Sequence, residues 1–287
     1  MIRSFPLTFE GLNFSSHRIF GFCELRDKIA LIHFAFGSQS REEYDNDKCT
    51  TSYALLDVFS EDFAKRSQAY LEYREKEIFT ATDAACYWDN ERLLLNTKHY
   101  KGFGDSIAKV MEIRDTELIE VGNAPTPISQ VYNDSKTYTF GDYIIRMASQ
   151  FVMECRSQSS GETIWKLKLS AYLYTEVEER DGILYFGTSG KGGRFYGVQL
   201  ANGNVIFNYD TGGTERYAWY KESVLLSDRK RKPVLLNPKD GSEVRRIDIG
   251  KFKMHLYQYL HVKNDRLYVV ASGSDCMHAV CVEIGQG

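Results

Sequence analysis

Tight-turn dipeptides recur along this chain at a nearly constant interval, and that spacing constrains the fold more than any other feature. A turn pair precedes each strongly apolar stretch: Asp27-Lys28, Asn90-Glu91, Gly141-Asp142, Asp181-Gly182, Glu222-Ser223 and Asn264-Asp265. Counted from residues 90, 141, 182, 222 and 264, the separations are 51, 41, 40 and 42. The first interval, from 27 to 90, is 63 and holds an insertion. A second turn follows at Ser160-Gly161, Asn202-Gly203 and Asp240-Gly241, about 20 residues after the first. Asp, Asn and Gly suit tight hairpin turns because such turns need positive φ.

Between the turns, apolar and polar residues alternate with the period of a strand, as in Tyr143-Ile144-Ile145-Arg146-Met147 and Ile183-Leu184-Tyr185-Phe186-Gly187. β-branched and aromatic residues are abundant there, as a pleated surface prefers. Each unit of about 40 residues therefore reads as four antiparallel strands. The last unit runs out of chain before its fourth strand, and Phe5-Pro6-Leu7-Thr8-Phe9 alternates and can supply it. The expectation is an all-β fold: a single domain over 1–287, built as a six-bladed β-propeller with four-stranded antiparallel blades and closed by the N-terminal strand. Residues 60–78 depart from the pattern; they read as the outer strand of blade one in preference to a rim helix.

The run Asp181-Gly182-Ile183-Leu184-Tyr185-Phe186-Gly187-Thr188, then Phe195-Tyr196-Gly197-Val198-Gln199-Leu200, then Asn202-Gly203-Asn204-Val205-Ile206-Phe207 resembles a PQQ-like propeller repeat, a quinoprotein or WD40-like family. Ser160-Gly161-Glu162-Thr163-Ile164-Trp165 resembles that family's Thr-Gly-x-x-x-Trp ending. The likeness covers 138–250 well and 15–130 faintly. It implies architecture and not activity, because one fold carries many functions. Enzymes of the family use a calcium-bound quinone, which needs several oxygen ligands converging on one spot. No such set is legible here, so no cofactor is expected.

Other motifs read structurally. Ser157-Gln158-Ser159-Ser160-Gly161-Glu162-Thr163 looks like a sialidase box with Ser159 in place of its Asp, and is read as a hairpin turn with Trp165 packed between blades. Gly187-Thr188-Ser189-Gly190-Lys191-Gly192-Gly193-Arg194 lacks the Ser or Thr after its Lys that a phosphate-cradling loop requires, and is read as a mobile hairpin tip. Six cysteines without a Cys-x-x-Cys are read as reduced thiols. Cys276, His278 and Cys281 form the closest metal-type cluster, but 281 points to the opposite strand face from 276 and 278, so no metal is expected. Tyr174, Tyr217, Trp219, Tyr220, Tyr257 and Tyr259 are read mainly as packing between blades.

Lys and Arg number 36 against 39 Asp and Glu, a net charge of −3, which argues against a nucleic-acid footprint. The first ten residues hold no secretory apolar region, and no apolar run reaches membrane-spanning length, so a cytoplasmic chain without a membrane partner is expected. The loops between the second and third strands of each blade, and between blades, are longer and more charged than the tight turns. They place Glu42, Glu43, Tyr44, Asp45, Asp47, Lys191, Arg194, Arg229, Lys230, Arg231 and Asp275 on one face. Both signs of charge on rigidly mounted loops suit a protein partner. The function expected is therefore a non-enzymatic scaffold that binds a protein, in one form neutralising an enzyme or toxin. The competing expectation is a hydrolase or lyase with carboxylates and histidines converging on a central channel.

Overall fold

The computed structural model describes residues 1–12, 16–37, 51–73, 80–89, 92–100, 106–114, 116–123 and 136–285. The regular elements among them are all strands. The chain divides into two compact units, Pro6–Gln130 and Met1–Phe5 with Val131–Gly287.

Strand β1 (Ile2–Pro6) is followed by two sheets in the first of these units. One is β2 (Ser16–Leu25), β3 (Lys28–Gly37), β4 (Thr51–Ser60) and β5 (Arg66–Tyr73); the other is β6 (Thr80–Asp89), β7 (Arg92–Tyr100), β8 (Ser106–Arg114) and β9 (Glu117–Asn123). Each is an antiparallel meander in chain order. Alternate residues of β3 and β4, Ala30, Ile32, Phe34, Ala54, Leu56 and Val58, pack with Met111, Ile113 and Leu118. The opposite face of the first sheet buries Ala35 and Leu55 under Phe9. Residues 66–73 are strand, as expected, and the preceding corner is held by Ser60 Oγ, which accepts from the amides of Ala64 and Lys65 at 3.0 and 2.9 Å.

The second unit carries four sheets among the described residues. The first contains β10 (Thr137–Phe140), β11 (Tyr143–Ser149), β12 (Val152–Ser157) and β13 (Thr163–Lys168). The next contains β14 (Tyr172–Leu173), β15 (Glu178–Arg180), β16 (Ile183–Ser189), β17 (Arg194–Gln199) and β18 (Val205–Asp210). In it β14 and β15 both pair with β16. The third contains β19 (Ala218–Tyr220), β20 (Ser223–Ser227), β21 (Pro233–Leu236) and β22 (Glu243–Arg246). In the last, β23 (Lys253–Met254) and β24 (Leu260–Lys263) both pair with β25 (Arg266–Ser272), which pairs with β26 (Met277–Glu283). The free edge of β26 is taken by β1.

That N-terminal strand lies three residues earlier than the alternation at 5–9 suggests. Pro6 has no N–H to donate and stands as the last strand residue. Leu7 and Phe9 leave the sheet and bury their side chains instead.

The inner strands also depart from the expected half-buried alternation. Residues 184–188 of β16 and 267–271 of β25 are buried without interruption. For β16 the reason is that its sheet is a slice between two neighbours, which buries both faces. Leu184 and Phe186 pack back onto Ile145, Met153 and Trp165. Tyr185 packs forward onto Val224, Leu226 and Val234. Leu225 and Leu235 in turn join Leu267, Val269 and Val280.

One contact recurs between slices. The turn before the fourth strand carries a glycine at positive φ, and the residue four places on reaches the corresponding turn of the next sheet. Trp165 lies against Gly203 (φ +73) and Phe207 against Gly241 (φ +70); at either glycine a Cβ would collide with the ring. Trp165 Nε1 also donates to the Leu200 carbonyl at 2.8 Å. At the third step Arg245 donates to the carbonyl oxygens of Ile284 and Gly285.

Candidate interaction face

A four-stranded meander puts its first and third turns at one end and its second turn at the other. In the second unit the second turns span 150–151, 190–193, 228–232 and 273–276, and the connections between sheets leave from the same end. These segments are stitched to one another. Ser170 Oγ donates to the Gly192 carbonyl at 2.7 Å, and Thr211 Oγ1 to the Gly193 carbonyl at 3.1 Å. Gly193 stacks on Gly213 so closely that a Cβ on it would lie 2.6 Å from the Gly213 Cα. The Thr214 amide donates to the Thr188 carbonyl at 2.9 Å, and the Met254 amide to the Arg231 carbonyl at 2.9 Å. Gln258 Nε2 donates to the Gly213 carbonyl. The segment around Lys191, read from sequence as a mobile tip, is therefore tied down on both sides, and strands rather than a helix flank it. Its glycines serve close backbone approach, which sequence alone does not separate from flexibility.

Lys191 is exposed at that tip. Arg194 is half-buried and donates through Nη1 to Asn208 Oδ1 at 2.6 Å. Arg229, Lys230 and Arg231 are all exposed, with Arg229 3.3 Å from Asp210. Asp275 is 71% exposed and lies 3.3 Å from His278. Glu42, Glu43, Tyr44, Asp45 and Asp47 lie outside the described residues.

The residue that shapes the basic loop was missed in the sequence. Asp228 is buried; its Oδ1 accepts the Lys230 amide at 2.9 Å and its Oδ2 accepts Arg246 Nη1 at 2.6 Å. The Arg231 amide closes the turn onto the Asp228 carbonyl at 2.7 Å, with Arg231 at φ +56. Arg246 is held further by Glu243 and by the Tyr209 hydroxyl. An acidic residue opening a short basic hairpin is the sequence signal by which it could have been found.

Two other groups at this end titrate away from their ordinary values. Burial raises the Glu215 carboxyl, with Ser189 Oγ donating to it at 3.2 Å. Burial, and secondarily the charge of Arg231, lowers the His255 imidazole. No hydrogen bond joins them. Of the six aromatic residues, Trp219 donates to Glu178 at 2.7 Å beneath the Arg180 guanidinium, Tyr217 packs on Phe195, and Tyr220 donates to Asp265. Tyr174 and Tyr257 are exposed. The sialidase-like box is a turn organised by Asp142, which accepts from Ser157 Oγ and from the Ser159 amide, both at 2.8 Å.

The described chain is thus an all-β protein of serial antiparallel sheets, four of them four-stranded meanders with the connectivity of a propeller blade and two with a fifth short strand. No protein-family model matches it, and no curated protein is similar in sequence. Among solved structures it is similar to BamB from Moraxella catarrhalis, at 10% identity over 94% of this chain and 99% of that one, with a TM-score of 0.43. The computationally designed Ika8 protein matches at 9% identity over 94% and 97%, with a TM-score of 0.44. The AfRom2 CNH domain matches at 10% over 97% and 98%, with a TM-score of 0.39. At these values the likeness identifies neither a family nor an activity. Strand order and register define the fold.

Proposed function

We propose that the six sheets close into one ring spanning 1–287, and that the end bearing the second turns is a rigid surface that binds a protein partner. The pairing of β1 with β26 supports closure, because it completes the last sheet with the first strand. The stitching of 190–193 to 211–214 carries the binding reading. Loops held by backbone and hydroxyl contacts present Lys191, Arg229, Lys230 and Arg231 with little ordering entropy to lose on association. Cations of this kind mainly steer and orient a partner whose contact surface is acidic. On this reading Asp275 contributes charge of the opposite sign. A disc covering the active site of an enzyme or toxin in the cytoplasm is one form of such binding.

The test is affinity capture from the native host with three baits: the natural chain, R229E/K230E/R231E, and Lys239→Glu at the opposite end. One protein retained in stoichiometric amount by the natural chain and the Lys239 variant, and lost by the triple variant, is the expected result. Equal retention by all three baits overturns the assignment of the face.

A further inference from the structure

The turn between β25 and β26 gathers three donor atoms of different chemistry. Asp275 Oδ1, Cys276 Sγ and His278 Nε2 all lie within 4.8 Å of one another. Sγ is 3.6 Å from Nε2, and Oδ1 is 3.3 Å from the same nitrogen. The turn is closed by the Gly273 amide donating to the Cys276 carbonyl at 2.8 Å. The His278 ring is fixed from behind by Phe252, whose centroid is 4.9 Å away.

A thiol, an imidazole and a carboxylate suggest either a nucleophile with its base or a cation site, and the geometry separates them. In a catalytic triad the thiol and the carboxylate bind opposite ring nitrogens. Here both approach Nε2, while Nδ1 is buried without a hydrogen-bond partner among the described residues. Convergence of all three atoms on one point is what a cation requires. Tetrahedral zinc, with bonds of about 2.3 Å to sulfur, about 2.05 Å to nitrogen and about 2.0 Å to oxygen, separates S from N by about 3.6 Å and N from O by about 3.3 Å. The two spacings to Nε2 match, and closing on the ion draws Sγ and Oδ1, which lie within 4.8 Å of each other, to about 3.5 Å. A second feature keeps the space open: a Cβ on Gly273 would sit 2.8 Å from Nε2 and 3.1 Å from Asp275 Oδ1, filling the cradle between the ligands.

We propose that Asp275, Cys276 and His278 bind one zinc-class divalent cation, with the fourth position open to solvent. Binding displaces the Cys276 thiol proton to water, and thiolate plus carboxylate then balance the dication. Cys281, in the sequence cluster but on the opposite strand face and buried, takes no part. Because Nδ1 has no acceptor behind it, affinity is lower by about 10–100-fold than at a site with that outer hydrogen bond.

The experiment is titration of the full chain, stripped with chelator, with cobalt(II), followed by thiolate-to-cobalt charge-transfer absorption and by competition with zinc. One cobalt per chain with a charge-transfer band is expected. The band disappears in Cys276→Ser and persists in Cys281→Ala. Asp275 is exposed, so Asp275→Asn leaves the fold intact and weakens binding by about tenfold or more, as does Gly273→Ala, which adds only a methyl group. Circular dichroism reports folding of each variant. Absence of a charge-transfer band in the natural chain, or its persistence in Cys276→Ser, overturns the proposal.

Discussion

The Trp165 indole lies so close over Gly203 that a Cβ there would come within 2.6 Å of the ring, while its N–H is spent on the Leu200 carbonyl three residues earlier. One turn thus supplies both a flat floor and an acceptor for the side chain of the preceding sheet. Gly203 is needed twice, for φ +73 and for the missing methyl group.

Gly161 provides the comparison, having φ +72 with nothing within 4 Å of its would-be Cβ. Gly161→Ala is expected to cost about 1–2 kcal/mol, the left-handed penalty alone. Gly203→Ala is expected to cost about 1–3 kcal/mol more, because the ring must also move. Urea denaturation of both variants measures the difference, and equal losses would show that the ring contact contributes nothing.

Asp57 is fully buried, with Arg66 Nε 2.6 Å from Oδ1 and His33 Nε2 2.9 Å from Oδ2. Burial alone would raise its carboxyl, but the contacts with His33 and Arg66 outweigh it and leave the carboxyl below its ordinary value. A depressed folded-state pKa contributes stability that is complete above the unfolded value, about 3.9, and is lost as pH falls through the folded one. Asp57→Asn is expected to lose about 3–5 kcal/mol at pH 7, since it leaves buried partners unmatched. The gap between variant and natural chain should narrow as pH falls below about 4. Urea midpoints across pH measure it, and a gap independent of pH contradicts the assignment.

Asp228 holds the basic hairpin through the Lys230 amide and Arg246. Trypsin should therefore cut slowly at Arg229, Lys230 and Arg231 in the natural chain despite their exposure. Asp228→Ala should accelerate cleavage there by about tenfold, the equivalent of one lost charge-assisted hydrogen bond. Mass spectrometry of the fragments identifies the site, and unchanged cleavage would assign the hairpin's order to other contacts.

Removal of Met1 through Pro6 bares the edge of β26, whose residues 279–282 are buried. An unpaired apolar edge invites pairing with another chain. Size-exclusion chromatography should show the truncated chain eluting as a larger species than the natural chain, and a truncation that elutes with the natural chain would mean that β1 does not protect the edge.

Much of the local structure was legible because positive φ is a local steric demand. Asp181-Gly182 and Asn264-Asp265 stand at hairpin turns as their residue types require. The Gly161-to-Trp165 spacing marked the fourth strand. Continuous burial of β16 and β25 was not legible, since alternation in a strand does not report whether a second sheet covers its other face.

The sequence by itself therefore determined the turns, the strand period and the four-strand unit, all set by sterics and burial within a few residues. Tertiary structure alone decided that Asp57 meets His33 and Arg66, that Asp228 anchors the basic hairpin to Arg246, and that Asp275 rather than Cys281 joins Cys276 and His278. These groupings depend on register between strands and on how a turn folds back, and side chains distant in sequence carry no mark of the partner that register will bring them.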